Sequence, residues 1–366
     1  MHRKPNSLTI VIPALDEQAS IGSTIERCLA ARTALAAECA IGDVEVIVVS
    51  DGSSDETARI AAAYTDVTVF VFIKNRGYGA AIKCGFEYGH GDLVAFLDAD
   101  GTCDPLHFVA LCRRLLDEDA DLVLGSRVGA DSQMPFVRTV GNKLFALMLG
   151  ILSKQAVADT ASGMRVIRRE ALPQLYPLPD GLHFTPAMSA RVLLENRLKL
   201  IEVPMSYAER SGRSKLSVVR DGVRFLGAIM RAALCYRPAR PLLIGAAILA
   251  LFALLLGAAP ATMYLRQGRF EEWMIYRILL SSLLATMSAF GVCAAVLGDR
   301  IARAAHGRVG AAGGITTALS RLFDEPLRWW LPPIVVLLAV LLVGQGLIQY
   351  AQSGAVTMHW SRAVLA

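Results

Sequence analysis

From residue 1 to about residue 240, short apolar runs alternate with stretches that mix polar and apolar residues at helical spacing. The runs occupy 8–12, 44–49, 67–73, 93–97 and 122–124. They are rich in β-branched residues and lack polar alternation, as strands buried on both faces do, so the helical intervals between them predict an open α/β domain with a mostly parallel sheet. Beyond residue 240 the pattern changes. Three stretches, at about 241–265, 278–298 and 330–350, contain no Asp, Glu, Lys or Arg. Each has the roughly 20 residues a helix needs to cross a bilayer. The expected organisation is a catalytic domain over 1–215, an amphipathic juxtamembrane helix over 216–240, and a transmembrane region over 241–366 with a loop at 299–328.

Two amphipathic stretches precede the first span. Residues 140–152 carry Val140, Leu144, Phe145, Leu147, Met148, Ile151 and Leu152. Residues 218–234 set Val219, Val223, Leu226, Ile229, Met230 and Leu234 against Arg220, Arg224 and Arg231. The second predicts a helix in the headgroup region, basic on one side. Arg300, Arg303, Arg308, Arg321 and Arg328 crowd the 299–328 loop, and Arg231, Arg237 and Arg240 precede the first span. By the excess of base on the inner side, both segments and the catalytic domain are expected to face the cytoplasm, at a bacterial inner membrane. The apolar run at 8–12 is too short for a secretory signal. Seven cysteines show no CxxC or zinc-like spacing, which fits reduced structural thiols. A net charge of +5 without a basic tract argues against nucleic acid as a partner.

In an open α/β sheet, ligands gather beyond the carboxyl ends of the strands. The polar clusters of this chain follow its predicted strands, at 13–17, 50–57, 74–79 and 98–104. Asp98-Ala99-Asp100 would place two carboxylates on one side of an extended segment, a donor pair suited to Mg²⁺ or Mn²⁺. Asp51, at a strand end, would point into the crevice, and Ser54 or Asp55 would cap the helix that follows. With Pro13, Leu15 and Glu17, Asp51 forms a nucleoside pocket, while 74–79 supplies glycines for close backbone approach and two cations.

The ordered series VIPALDE (11–17), VSDGSSDET (49–57), NRGYGAA (75–81), LDADGTCDP (97–105), GSR (125–127), DTASGMR (159–165) and SGRSKLS (211–217) resembles the inverting family-2 glycosyltransferases of GT-A fold. Within them the series is most similar to dolichyl-phosphate mannose synthases and bacterial polyisoprenyl-phosphate glycosyltransferases. The resemblance covers about residues 8–235. It implies a nucleotide-sugar donor bound by Pro13, Leu15, Glu17, Asp51, Asp98, Ala99 and Asp100, with Arg213 and Lys215 neutralising its diphosphate. It also implies a metal on Asp98 and Asp100, joined by Thr102 where the dolichyl-mannose type carries Gln, and an acceptor phosphate met by Arg127 and Arg138. Asp16 stands where many relatives have Asn.

The expected reaction is transfer of a hexose-type sugar from a UDP- or GDP-linked donor to a polyprenyl phosphate at a membrane, with Asp100, Arg127, Asp159 and Lys215 as the catalytic set. A phosphate monoester is already anionic near neutral pH, so no base is needed. The alternative acceptor, a lipid or glycan hydroxyl, needs one, and Asp159 is the candidate. A catalytically silent scaffold is the remote alternative. Membrane lipid is the expected surroundings, and a homo-oligomer is left open.

Overall fold

The computed structural model describes residues 5–128, 135–195, 197–208, 217–267, 271–306, 333–334 and 336–337. The chain divides into two compact units, Met1–Tyr236 and Arg237–Ala366.

In the first unit, seven strands form one sheet: β1 (Ser7–Ala14), β2 (Asp43–Ser50), β3 (Thr68–Val71), β4 (Leu93–Phe96), β5 (Leu122–Ser126), β6 (Arg165–Arg168) and β7 (Leu200–Pro204). Their order is β3-β2-β1-β4-β6-β5-β7. All neighbours run parallel except β6, which lies antiparallel between β4 and β5. The five predicted strands are present within a few residues of their expected bounds. The pattern of apolar runs does not reveal β6 and β7. β6 reads Arg-Val-Ile-Arg, and its arginines mask a strand that is wholly buried. Arg168 escapes isolation by donating Nε to Ala120 O at 2.9 Å and pairing with Asp119 at 3.0 Å.

The helices are α1 (Ile21–Cys39), α2 (Thr57–Ala62), α3 (Tyr78–Tyr88), α4 (His107–Asp117), α5 (Phe136–Ser153), α6 (Leu172–Leu175), α7 (Phe184–Glu195) and α8 (Val218–Tyr236). Strand alternation divides the core between the sheet's two faces. Ile10, Ile12, Val46 and Val48 pack with Ile25 and Leu35 of α1 and Phe108 and Leu111 of α4. Val11, Ile47 and Val49 pack with Ile82 and Phe86 of α3 and Phe184 and Met188 of α7. A third cluster joins Leu149 and Leu152 of α5, Leu193 and Leu194 of α7, and Ile229, Ala233 and Tyr236 of α8.

α8 packs against the rest of the first unit by one face only. Its buried face is Asp221, Phe225, Ala228, Ile229, Ala233 and Tyr236, against α5 and α7, whereas Val219, Val223, Leu226 and Leu234 stay exposed. Packing claims the face with the small residues and leaves a second apolar face outside.

The second unit contains α9 (Ala239–Gln267) and α10 (Glu272–Ala305), with mean hydropathy of 2.7 and 1.9 over their most apolar windows. They coincide with the first two predicted spans. Small residues let them approach: Gly291 lies against Ala246, and Ser281 and Ser288 donate their hydroxyls to Ala253 O and Ala246 O at 2.7 and 2.8 Å. Many of their large apolar side chains are exposed, among them Leu251, Leu254, Leu255, Leu283 and Phe290, a surface suited to lipid. The predicted third span, 330–350, lies outside the described residues except for 333–334 and 336–337, which are helical. α5 is also long and apolar enough to cross a membrane, with a mean hydropathy of 1.3, but its Leu149 and Leu152 belong to the first unit's core.

Candidate active site

The loops beyond the carboxyl ends of β1, β2 and β3 are tied to one another by side chains. Asp51, buried after β2, accepts from Arg76 N at 2.7 Å and Gly77 N at 2.9 Å. Burial raises its pKa, while those two N–H groups and the Arg76 charge pull the other way. Asp16 accepts from Ser54 N at 2.7 Å, and Thr57 Oγ1 accepts from Glu17 N at 2.8 Å. Asp16 has a φ of 45°, in the left-handed region that Asn and Asp tolerate best, which accounts for either residue here. Asp55 accepts from Thr57 N at 3.0 Å, but the cap of α2 is Glu56 rather than Ser54 or Asp55. Gly77, with φ of 108°, has no room for a side chain: a Cβ would stand 2.4 Å from Asp180 O.

Asp98-Ala99-Asp100 follows β4 in a turn rather than continuing the strand, because the ladder ends at Phe96. The carboxylates are therefore placed by their contacts. Asp98 Oδ1 accepts from the Tyr78 hydroxyl at 2.7 Å. Burial, and then the Asp98 charge, push the Tyr78 pKa well above its ordinary value, so it stays a donor. Asp100, 5% exposed, accepts from Thr102 Oγ1 at 2.6 Å and Thr102 N at 3.1 Å. Thr102 is buried behind Asp100 and orients it.

Arg127, just beyond β5, is held by Asp159 through a two-pronged ion pair, Nε to Oδ2 at 2.7 Å and Nη2 to Oδ1 at 2.9 Å. Arg127 N adds a third bond at 3.0 Å and Ala161 N a fourth at 3.1 Å. Burial works to raise the Asp159 pKa and to lower that of Arg127. Their mutual attraction outweighs it, holding the carboxyl below its usual range and the guanidinium above. The Tyr207 ring covers the guanidinium at 5.5 Å. Behind them lies fully buried Arg165, which donates to Ser162 O and Thr160 O. Burial lowers its pKa to about 10, so it remains a cation at neutral pH.

These groups surround a cleft of about 470 Å³. Pro13, Leu15, Glu17, Asp51, Asp98, Ala99, Asp100, Arg127 and Arg138 all line it, so nine of the residues singled out from sequence converge on one space. Thr102 and Asp159 are not in its wall but bond to Asp100 and Arg127, which are. Arg213 and Lys215 lie outside the described residues. The wall also contains groups the sequence does not assign to a site: Tyr78, Tyr207, Asn142 and Phe145 of α5, and Arg224 and Phe225 of α8. Tyr78 sits inside the NRGYGAA series and Arg224 on a helix whose arginines are expected to face lipid headgroups.

The chain has relatives among known proteins. The profile of glycosyl transferase family 2 matches residues 9–176. A dolichyl-phosphate beta-glucosyltransferase of Drosophila melanogaster is 30% identical over 228 residues, 57% of this chain and 69% of that protein. The chain belongs to glycosyl transferase family 2. The low-salt glycan biosynthesis hexosyltransferase of Haloferax volcanii is 31% identical over 60% of this chain and 53% of that protein. An undecaprenyl-phosphate 4-deoxy-4-formamido-L-arabinose transferase of an Enterobacter species is 30% identical over 59% and 64%. The chain therefore spans between about half and two thirds of the length of these last two relatives. Among solved structures, glucosyl-3-phosphoglycerate synthase from Mycobacterium tuberculosis, in complex with Mn²⁺, uridine diphosphate and glucosyl-3-phosphoglycerate, superposes with a TM-score of 0.51. It covers 62% of this chain and 80% of that one at 22% identity, a likeness of fold. The GT-A architecture expected from the motifs is the observed one.

Proposed function

We propose that this family-2 protein transfers a hexose-type sugar, with inversion, from a UDP- or GDP-linked donor to a polyprenyl phosphate at the cytoplasmic face of a membrane. The observation that carries the acceptor class is the state of Asp159. Four donors occupy its two oxygens and its pKa is depressed, so it is a poor base for a hydroxyl acceptor. A phosphate acceptor needs no base. It needs positive charge, because two anionic phosphates approaching in a low dielectric repel strongly. Arg127, Arg138 and Arg224 line the cleft that also contains Asp98 and Asp100. The names of the Drosophila and Enterobacter relatives, with dolichyl and undecaprenyl phosphate, support the same acceptor class.

The residues present fit a divalent cation. Among the described residues no trio of His, Cys, Asp or Glu forms a closed metal site. Asp98 and Asp100, which both line the cleft, offer instead an open, all-oxygen pair of the kind that Mg²⁺ or Mn²⁺ takes when substrate oxygens complete its shell. When bound, the cation supplies charge neutralisation for the leaving diphosphate. The chain's own residues do the rest. Thr102 fixes Asp100, Asp51 fixes the 76–77 backbone beside the nucleoside, and Asp159 fixes Arg127 so that its guanidinium meets the acceptor without reorganising. Arg213 and Lys215 are assigned to the diphosphate on the family resemblance.

The test is an assay of purified full-length protein with polyprenyl phosphate, Mg²⁺ or Mn²⁺, and labelled UDP- and GDP-sugars. An acid-labile glycolipid is expected with one donor, and Asp100→Ala is expected to lower turnover by at least about a hundredfold. Failure of every donor with polyprenyl phosphate, alongside product from a lipid bearing only a hydroxyl, would overturn the acceptor assignment.

A further inference from the structure

Asp98 is met from two sides by segments distant in sequence. On one side Tyr78, the first residue of α3, donates its hydroxyl to Asp98 Oδ1 at 2.7 Å. On the other, Gly163 backs onto the same carboxylate so closely that a Cβ would stand 2.1 Å from Oδ2 and 2.6 Å from Cγ. The backbone does not call for glycine at 163, whose φ lies outside the left-handed region occupied by Gly52, Gly77 and Gly101. What requires the missing side chain is the space taken by Asp98.

An aspartate side chain turns about two bonds. A hydrogen bond at one oxygen and a steric wall at the other restrict both, so a carboxylate held this way has less freedom to lose when it takes a cation. Partners that orient a ligating carboxylate commonly contribute about 10- to 100-fold to metal affinity. We propose that Tyr78 and Gly163 form the positioning device for the cation-binding carboxylate of Asp98, Tyr78 orienting it and Gly163 leaving the room it occupies, and that together they set the affinity for the divalent cation. The inference rests on the reading of Asp98 and Asp100 as the cation-binding pair. Tyr78 is a positioning residue here.

The experiment is Mn²⁺ titration of full-length, detergent-solubilised protein, followed by the electron paramagnetic resonance of free Mn²⁺, alone and with UDP or GDP. Wild type is compared with Tyr78→Phe, Gly163→Ala and Asp98→Asn, and nucleotide binding is measured in parallel with the cation chelated. The expected result is a rise in the Mn²⁺ Kd of about tenfold or more for Tyr78→Phe and for Gly163→Ala, and loss of binding for Asp98→Asn. In Tyr78→Phe and Gly163→Ala, cation-free nucleotide affinity should fall by less than Mn²⁺ affinity, since the orientation of the Asp98 carboxylate is at issue. Gly163→Ala approaches the carboxylate from the other segment and keeps the inference testable should Tyr78→Phe unfold. Wild-type Mn²⁺ affinity in both variants, with binding lost in Asp98→Asn, overturns the role of Tyr78 and Gly163 and leaves the metal reading standing. An equal fall in cation-free nucleotide binding means that the variants disturb the pocket as a whole rather than the cation's carboxylate, and also overturns it. Undiminished binding in Asp98→Asn, or none in wild type, removes the metal reading and this inference with it.

Discussion

At the scale of single residues, the site is a set of charged groups held by hydrogen bonds and ion pairs from neighbouring segments. Asp51 is held by two backbone N–H groups, Asp98 by Tyr78, Asp100 by Thr102, and Arg127 by Asp159. The sequence motifs name most of the charges, but the pairing of Arg127 with Asp159, 32 positions apart, is invisible in them. Under the proposed function, that pairing makes Asp159 an anchor for Arg127 rather than a base. Asp159→Asn leaves Arg127 without its counter-charge, and breaking such a buried pair costs about 3–5 kcal/mol. The pH dependence has a definite sign. Because the folded pKa of Asp159 lies below the ordinary 3.8, its contribution is complete above about pH 4 and is lost as pH falls through the lower folded value. Denaturant unfolding of wild type and Asp159→Asn should therefore show a constant gap from neutrality to about pH 4 that closes below it.

At the scale of elements, α5 and α8 both contribute to the cleft wall. Each gives one face to the core and keeps a second apolar face outside: Val140, Leu144, Leu147 and Ile151 on α5, and Val219, Val223 and Leu226 on α8. Phe145 and Phe225 meet between them, ring centroids 5.9 Å apart, and both line the cleft. An apolar acceptor chain extending from a phosphate at Arg138 would run along such a surface. Replacing Leu144 and Leu147 with serine is expected to raise the KM for a long-chain polyprenyl phosphate by at least about tenfold, the equivalent of one lost leucine contact of roughly 1.5 kcal/mol. The donor KM should stay unchanged, and steady-state kinetics with long and short acceptors would separate the two. Periodicity announces both helices. It does not say which apolar face each buries, because two faces are apolar and the choice lies in the mutual packing of α5, α7 and α8.

At the scale of the whole molecule, the division into Met1–Tyr236 and Arg237–Ala366 follows the change in composition that the sequence displays near residue 240. The basic segment 299–328 lies outside the described residues beyond 306, and its arginines carry the expectation that the first unit faces the cytoplasm. A cysteine introduced at exposed Glu56 should react with a membrane-impermeant maleimide in inside-out vesicles and stay protected in right-side-out ones. The reverse pattern would invert the topology.

By itself the sequence determined the chemistry-bearing loops, the five parallel strands that carry them, and the apolar helices α9 and α10, because each is written in local spacing or local composition. Tertiary structure alone decided the rest. It inserted β6 antiparallel among parallel neighbours, with Arg168 satisfied by a distant carbonyl and Asp119. It committed Asp159 to Arg127, set Tyr78 and Gly163 against Asp98, and turned Arg224 into the cleft wall. These are contacts between residues far apart in the chain, and their energy depends on burial and distance, quantities that exist only once the chain has folded.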